Sequence, residues 1–156
     1  MNKKEMQELI DKLSYDTVFG CLTRQAVELR WSEISKEAQA AIFLDIDRMH
    51  EMNEKFGYDK VDQMIRDSIG HCRSDDKVVA ARYYSGDELL FILKDKRDVK
   101  GFSNRMFSEF RKMGISITAC IIERIVDNLI DTVKPAAEEI RKQKISDNRG
   151  ILVQSV

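Results

Sequence analysis

Several residue types are scarce in this 156-residue chain, and each shortage excludes a class of protein. The single proline and the hydrophobic share of 43% argue against a disordered chain, which lacks the apolar residues to form a core. The three cysteines contain no C-x-x-C pair, so they predict neither a disulfide framework nor a zinc site. No apolar run approaches the ~18 residues of a membrane span, and the N-terminus lacks the apolar segment of a signal peptide. We therefore expect a cytoplasmic protein that does not contact the membrane.

Charged residues are abundant but balanced. They make up 34% of the chain, yet the formal net charge is -1. A protein that binds long stretches of nucleic acid usually carries a basic surface, so this balance argues against a large nucleic-acid interface. The length suits one domain with a substantial core. We predict an N-terminal helix over residues 1–13, followed by a single domain over residues 14–156.

Helical and strand-like patterns alternate along the chain. Thr23 is a suitable N-cap for one helix that continues to about Ile34. Apolar residues at helical spacing predict further helices over 3–13, 48–55, 59–72 and 99–113, and one over 125–144 that breaks near Pro135. Short apolar runs predict strands over 40–46, 77–84, 88–94, 115–122 and 151–153. This order predicts a mixed sheet flanked by helices, in an α/β or α+β sandwich.

Two acidic motifs follow or separate strand-like runs. Ala41-Ile42-Phe43-Leu44 leads into Asp45-Ile46-Asp47, and Ser85-Gly86-Asp87-Glu88 lies between two apolar runs, as the turn of a β-hairpin does. Adjacent carboxylates are costly unless a cation lies beside them, and Mg²⁺ commonly binds one or two carboxylates plus substrate phosphates. Either motif alone is explained by turn chemistry, since Ser, Gly and Asp are common in turns. The two together favour a metal site.

At these motifs the chain resembles a GGDEF domain. The segment from Phe43 to Asp62 is similar to the first half of that domain, and Ser85-Gly86-Asp87-Glu88-Leu89 resembles the signature that names the family. Asp16 to Arg24 is similar to the family's N-terminal motif, and Lys144 to Arg149 is similar to its C-terminal phosphate motif. The pieces occur in family order. Minimal CRISPR polymerases, small stand-alone palm-domain cyclases of antiphage operons, are a related alternative, because we see no sensory domain in the chain.

The resemblance implies a palm-like, ferredoxin-like fold that condenses two nucleoside triphosphates into a cyclic dinucleotide and releases pyrophosphate. Mg²⁺ or Mn²⁺ would activate the attacking 3′-hydroxyl and neutralise phosphate charge. The implied metal ligands are three acidic side chains, which are also the implied catalytic groups, and one carbonyl: Asp45, Asp87, Glu88 and Ile46. The implied phosphate-binding residues are two small residues of the signature, the start of a helix and two cations: Ser85, Gly86, Met49, His50, Lys144 and Arg149.

The resemblance also bears on which base is used. Asn53 and Asp62 stand where the family has its guanine-binding residues, and a carboxylate can accept from the donor edge of guanine, which adenine lacks. This favours GTP and cyclic di-GMP. Tyr58 and Val61 depart from the family's usual His and Gly, which leaves open ATP and an adenine-containing product. A third alternative is an inactive module that only senses a nucleotide, although such relatives often lose the acidic signature.

Further expectations concern assembly and regulation. One domain of this family holds one triphosphate, so cyclisation implies a homodimer at least during catalysis. A separate effector would then bind the product. We expect Asp47 to cap the helix that follows it. The family's product-inhibition motif, Arg-x-x-Asp, lies just before the signature, whereas Arg73-Ser74-Asp75-Asp76 lies farther from it, so we predict no working feedback site of that type.

Overall fold

The computed structural model describes residues 1–73, 78–83 and 86–153. The strands within these residues are β1 Tyr15–Asp16, β2 Cys21–Thr23, β3 Ala40–Ile46, β4 Val78–Arg82, β5 Glu88–Leu93, β6 Ile117–Ile122 and β7 Leu152–Val153. They form one sheet in the order β1-β2-β4-β5-β3-β6-β7. Strands β2 and β4 are parallel, as are β6 and β7, while the other neighbours are antiparallel. The predicted mixed sheet is therefore confirmed.

Helices cover both faces of this sheet. They are α1 Lys3–Ser14, α2 Arg24–Leu29, α3 Trp31–Glu37, α4 Met49–Phe56, α5 Tyr58–Cys72, α6 Val99–Lys112 and α7 Leu129–Ile145. Residues of α5 and α6 fill one core with one face of the sheet, and residues of α2, α3 and α7 fill a second core with the other face. An element that is apolar on one side must bury that side against another layer. The result is the predicted sandwich.

Strand β3 is the central element of the fold. It pairs with β5 on one side and with β6 on the other. Its side chains alternate between the two cores, as the period of two requires: Ile42 and Leu44 lie in one core, and Phe43 lies in the other. Every residue of β3 is buried except Asp45, which is half-buried near its end. A strand packed on both faces and paired on both edges therefore fixes the position of Asp45.

Two helix predictions are wrong. The helix predicted from Thr23 to Ile34 breaks at Arg30, and the second part begins with the buried Trp31, whose indole N–H donates to the Val126 carbonyl at 2.9 Å. In contrast, α7 runs through Pro135 without a break. A helical proline lacks a hydrogen bond and crowds the preceding turn. Packing against the second core holds α7 together despite this local cost, because tertiary burial contributes more to helix stability than propensity does.

The N-terminal helix has the predicted position. It begins after Asn2, whose side chain accepts a hydrogen bond from the Glu5 N–H at 2.8 Å, and none of its residues is buried. The separation of residues 1–13 from a single domain over 14–156 stays a prediction. Among the residues that the structure describes, no helix is long and apolar enough to cross a membrane.

Candidate functional site

The two acidic motifs lie side by side at one edge of the sheet. Asp45 on β3 is directly opposite Glu88 on β5, so their side chains project from the same face with Cβ atoms about 5 Å apart. The Ile46 N–H donates to the Asp87 carbonyl at 2.8 Å, which docks the turn onto the end of β3. Backbone pairing thus brings together three acidic residues from distant parts of the sequence.

Burial and mutual repulsion raise the pKa values of Asp45 and Glu88. Burial raises the pKa of Asp45 to about 6, Asp87 and Asp47 add repulsion, and Lys144 opposes the rise. Burial, followed by the charges of Asp45 and Asp87, raises the pKa of Glu88 to about 7, and Lys144 and Arg24 oppose this. A bound cation would stabilise the charged forms of both groups.

Lys144 is the cation in contact with this cluster. Its Nζ lies 3.0 Å from Asp45 Oδ1 and 3.6 Å from Asp47 Oδ1, and its side chain is 21% exposed. The contact with Asp45 is close but poorly directed, since Asp45 Oδ1 is buried and has no hydrogen bond of good geometry within the described residues. Lys144 therefore points inward from a charged segment of α7 and places its positive charge against Asp45 Oδ1.

Asp47 does not cap α4, so that prediction is wrong. The N-cap is Arg48, which has a φ of 51° and makes no capping bond with its side chain. Asp47 is instead 3% exposed and accepts hydrogen bonds from Ser116 Oγ at 2.6 Å, Thr118 Oγ1 at 2.7 Å and the Gly150 N–H at 3.0 Å. It fastens the segment after α7 to β6. The Asp-x-Asp spacing was a signal for this, because residues two apart share a face of a strand.

The residues fit a divalent ion only in part before substrate binds. Within residues 1–73, 78–83 and 86–153, no three acidic, histidine or cysteine side chains form a ready-made cage for a metal ion. Mg²⁺ needs only one or two protein carboxylates when water and substrate phosphates complete its shell. The observation that favours such an ion is the direct opposition of Asp45 and Glu88, beside which the fold already holds one cation, Lys144. The carbonyl of Ile46 as a ligand stays a prediction.

The residues predicted to contact the base lie on successive helices. Asn53 is on α4, and its Oδ1 is buried without a hydrogen-bond partner in the described part of the chain. Asp62 is half-buried on α5, which begins immediately after Gly57. An amide oxygen that is buried and unsatisfied is costly unless a ligand supplies a donor. The Asn53 oxygen therefore lacks a donor within the described residues, and its contact with the base stays a prediction.

The predicted phosphate-binding residues are spread over more elements of the fold than the predicted base-binding residues are. Met49 and His50 form the first turn of α4, where backbone N–H groups lack partners within the helix. The His50 side chain is exposed and pairs with Glu54 at 3.0 Å. Arg149 is exposed, pairs with Asp147 and lines a cleft of about 680 Å³ beside α4.

The turn of the signature is only partly described, because Ser85 lies outside the described residues. At Gly86, an added Cβ would lie 3.0 Å from Nη2 of Arg82 and 3.6 Å from Cε of Met49. A side chain here would therefore crowd Arg82. Most of the Arg73-Ser74-Asp75-Asp76 segment also falls outside the described residues, so the absence of a feedback site stays a prediction.

Sequence reasoning missed the contribution of Arg82 to this site. Its Nη1 lies 3.0 Å from Asp16 Oδ2, and its guanidinium lies 4.3 Å from the centre of the Phe19 ring. Asp16 Oδ1 also accepts from the N–H groups of Val18 and Phe19 at 3.0 Å. The segment that carries the N-terminal motif is thereby tied to the strand that leads into the acidic turn.

The family model described as "Diguanylate cyclase, GGDEF domain" matches residues 21–144. The chain belongs to the GGDEF domain family. Its predicted resemblance to that family is thus confirmed. No curated protein matches the sequence.

Solved GGDEF structures share the fold of this GGDEF chain. The coiled coil and GGDEF domain of DgcB from Caulobacter crescentus, in complex with c-di-GMP, superposes with a TM-score of 0.76 at 17% identity, over 97% of this chain and 91% of that one. A microbial GGDEF domain described with cyclic di-GMP gives 0.73 at 17% identity, over 91% and 99%. Diguanylate cyclase SiaD from Pseudomonas aeruginosa, with its activator SiaC, gives 0.74 at 20% identity, over 97% and 66%.

Proposed function

We propose that this chain is a metal-dependent diguanylate cyclase, which joins two GTP molecules into cyclic di-GMP and releases two pyrophosphates. The observation that carries the proposal is the pairing of Asp45 with Glu88 at the end of two central strands. Asp45 Oδ1 already lies 3.0 Å from the ammonium group of Lys144, which supports a site that attracts positive charge. Membership of the GGDEF family supports the same reaction.

The acidic cluster would hold the metal. Asp45, Asp87 and Glu88 would bind Mg²⁺ or Mn²⁺ with the Ile46 carbonyl as a further oxygen ligand, and such hard ligands suit these ions. When bound, the ion lowers the pKa of an attacking hydroxyl and neutralises charge on phosphate oxygens. Asp87 is placed for this by the hydrogen bond from Ile46 to its carbonyl.

The chain's own groups would orient the triphosphate. Lys144 supplies a positive charge beside Asp45, and the free N–H groups of Met49 and His50 at the start of α4 can hold phosphate oxygens. The 3′-hydroxyl of one GTP then attacks the α-phosphorus of the other, and pyrophosphate leaves with the electrons of the broken bond. Further phosphate contacts are proposed for Ser85, Gly86 and Arg149.

Guanine recognition would use the side chains of α4 and α5. The buried Asn53 oxygen can accept from the guanine N1–H or N2–H₂ edge, and the Asp62 carboxylate can do the same. Val61, which replaces the glycine usual in the family, lies on α5 with its side chain fully buried in the core. The substitution is therefore absorbed by packing, and the preference for GTP over ATP would come from the acceptors Asn53 and Asp62.

Two copies of the chain would meet during the reaction, because each site holds one triphosphate and the product contains two nucleotides. A separate effector that binds the product would then complete the signalling function. The alternatives are a CRISPR-polymerase-like synthase of an adenine-containing cyclic dinucleotide in antiphage defence, and an inactive sensor of a nucleotide. Each alternative predicts a different result when the purified protein is incubated with nucleoside triphosphates.

The test is incubation of the protein with each nucleoside triphosphate alone and with all of them together, in Mg²⁺ and then in Mn²⁺. Products are resolved by mass spectrometry and released pyrophosphate is measured, with a chelator as the control. Cyclic di-GMP from GTP supports the proposal. An adenine-containing cyclic product supports the antiphage alternative, and nucleotide binding without pyrophosphate under every condition supports the sensor.

A further inference from the structure

A row of four side chains crosses the sheet at its acidic edge. Thr118 on β6 is opposite Asp45, and Asp45 is opposite Glu88. The N–H of Tyr83 donates to the Glu88 carbonyl at 2.9 Å, which continues the row beyond the end of β4. Directly opposed residues project from the same face of a sheet. All four side chains therefore face the layer formed by α2, α3 and α7.

Two cations reach this row from opposite ends. Lys144 on α7 contacts Asp45, as described above. At the other end, the guanidinium of Arg24 on α2 lies 5.1 Å from the centre of the Tyr83 ring. Tyr83 is buried and packs edge-on against Phe43, with ring centres 5.4 Å apart, so it is a firm support for Arg24. The acidic pair in the middle of the row thus lies between a lysine and an arginine.

Arg24 also borders an open cleft. The cleft has a volume of about 250 Å³ and is lined by Asp16, Thr23, Arg24, Gln25, Arg82 and Tyr83. The carboxylate of Asp16 in this lining already pairs with Arg82. The Nε of Arg24 pairs with Glu28 at 2.9 Å, and both side chains are partly exposed, at 17% and 37%. A phosphate that enters this cleft would therefore compete with the Glu28 carboxylate for the guanidinium.

We propose that Arg24 contacts a nucleotide phosphate at the Glu88 end of the row, as the counterpart of Lys144 at the Asp45 end. This inference rests on the proposed function, since it assigns a further binding residue to the same site. A triphosphate and its metal ion carry a net negative charge, and cations on both sides of the acidic pair would balance it. The planar guanidinium, held over the Tyr83 ring, suits paired hydrogen bonds to phosphate oxygens.

The test measures binding and does not need turnover. The ligand is a GTP analogue with a methylene bridge between the α- and β-phosphates, which cannot release pyrophosphate, titrated calorimetrically in Mg²⁺ at several salt concentrations. Arg24→Gln removes the charge and keeps a planar amide, whereas Arg24→Lys keeps the charge. Arg30→Gln is the matched control, because Arg30 is an exposed arginine at the start of α3, away from the row. Thermal unfolding is recorded for every variant.

We expect Arg24→Gln to weaken binding about tenfold, as loss of one charge-assisted hydrogen bond would, and to reduce the salt dependence of the dissociation constant. Arg24→Lys should bind with an affinity between those of the wild type and Arg24→Gln, because it keeps the charge but loses the paired hydrogen bonds, and Arg30→Gln should match the wild type. The inference is overturned if the wild type does not bind the analogue, or if Arg24→Gln binds it with wild-type affinity. It is also overturned if Lys and Gln weaken binding equally while the salt dependence is unchanged, since Arg24 would then only support Tyr83.

These outcomes separate this inference from the proposed function. If the wild type produces cyclic di-GMP and Arg24→Gln binds and reacts like it, the role of Arg24 fails while the cyclase stands. If analogue binding depends on Arg24 but no nucleotide yields pyrophosphate, the cyclase fails while the role of Arg24 in phosphate binding stands.

Discussion

Asp45 and Glu88 face each other across β3 and β5, and each carboxyl group has a pKa well above its ordinary value. Two acids in direct opposition destabilise a sheet unless a cation lies between them or one is protonated. This cost falls near the end of β3, an interior strand of the sheet. Such an arrangement is typical of a site that awaits a positively charged ligand.

The cost of this pair predicts how stability depends on pH. Between the ordinary pKa of Glu88, 4.5, and its folded value of about 7, the folded chain binds more protons than the unfolded chain. The free energy of unfolding contributed by Glu88 therefore falls as pH rises through this range. In the presence of a chelator, Glu88→Gln should stabilise the protein at pH 8 by about 1 kcal/mol, and most of this advantage should be lost at pH 5, which is close to the ordinary pKa.

Thermal unfolding at the two pH values measures this effect. Glu138→Gln is the matched control, because Glu138 is exposed on α7, outside the acidic row. It should change stability equally little at both values. An equal gain for Glu88→Gln at pH 5 and pH 8 would show that repulsion within the acidic row is not its cause.

The hydrogen bonds of Asp47 predict a structural role. Asp47→Ala leaves the hydroxyls of Ser116 and Thr118 and the Gly150 N–H without their buried acceptor. The loss should lower the free energy of unfolding by about 2–4 kcal/mol. Urea unfolding measures it, with the exposed Asp98→Ala as the control. A change below about 0.5 kcal/mol would contradict the view that Asp47 fastens the segment after α7.

Asn53 is predicted to act on the ligand and not on the fold. Its Oδ1 makes no hydrogen bond within the described residues, so Asn53→Ala should leave the unfolding temperature unchanged or slightly raise it. The same change should raise the KM for GTP about tenfold and reduce the preference for GTP over ATP. Asn104→Ala, on the exposed side of α6, is the control. If Asn53→Ala destabilises the protein while its KM for GTP stays normal, Asn53 is a structural residue.

The sequence predicts features that depend on local pattern. The apolar run Ala41-Ile42-Phe43-Leu44 predicts β3, because a strand buried on both faces is apolar at successive positions, and the structure has the predicted bounds 40–46. Gly57 ends α4 as expected, with a φ of 84°. The positions of the two acidic motifs, at the end of β3 and at the start of β5, were predicted from the same apolar runs. Strands β1 and β2 were missed because two or three residues are too few to show a period.

Features that depend on distant partners were not predictable from one sequence. Asp47 accepts hydrogen bonds from Ser116 and Thr118, which lie about seventy positions away in the sequence. Arg82 pairs with Asp16 at a similar separation. Local pattern instead favoured a helix cap for Asp47, because that reading needs only the next few residues. The direction of Lys144 likewise depends on how α7 packs on the second core, which a charged segment alone does not reveal.

The measurement that tests the central claim most directly compares product formation from GTP by the wild type and by Asp87→Asn in Mg²⁺. The variant keeps the size of the side chain and removes the charge of a proposed metal ligand, and Asp98→Asn serves as the control. We predict that the wild type and Asp98→Asn produce cyclic di-GMP and pyrophosphate. Asp87→Asn should fold normally but react more slowly by a factor of about 100 or more. Wild-type turnover by Asp87→Asn would contradict the claim that the cluster of Asp45, Asp87 and Glu88 is the catalytic metal site.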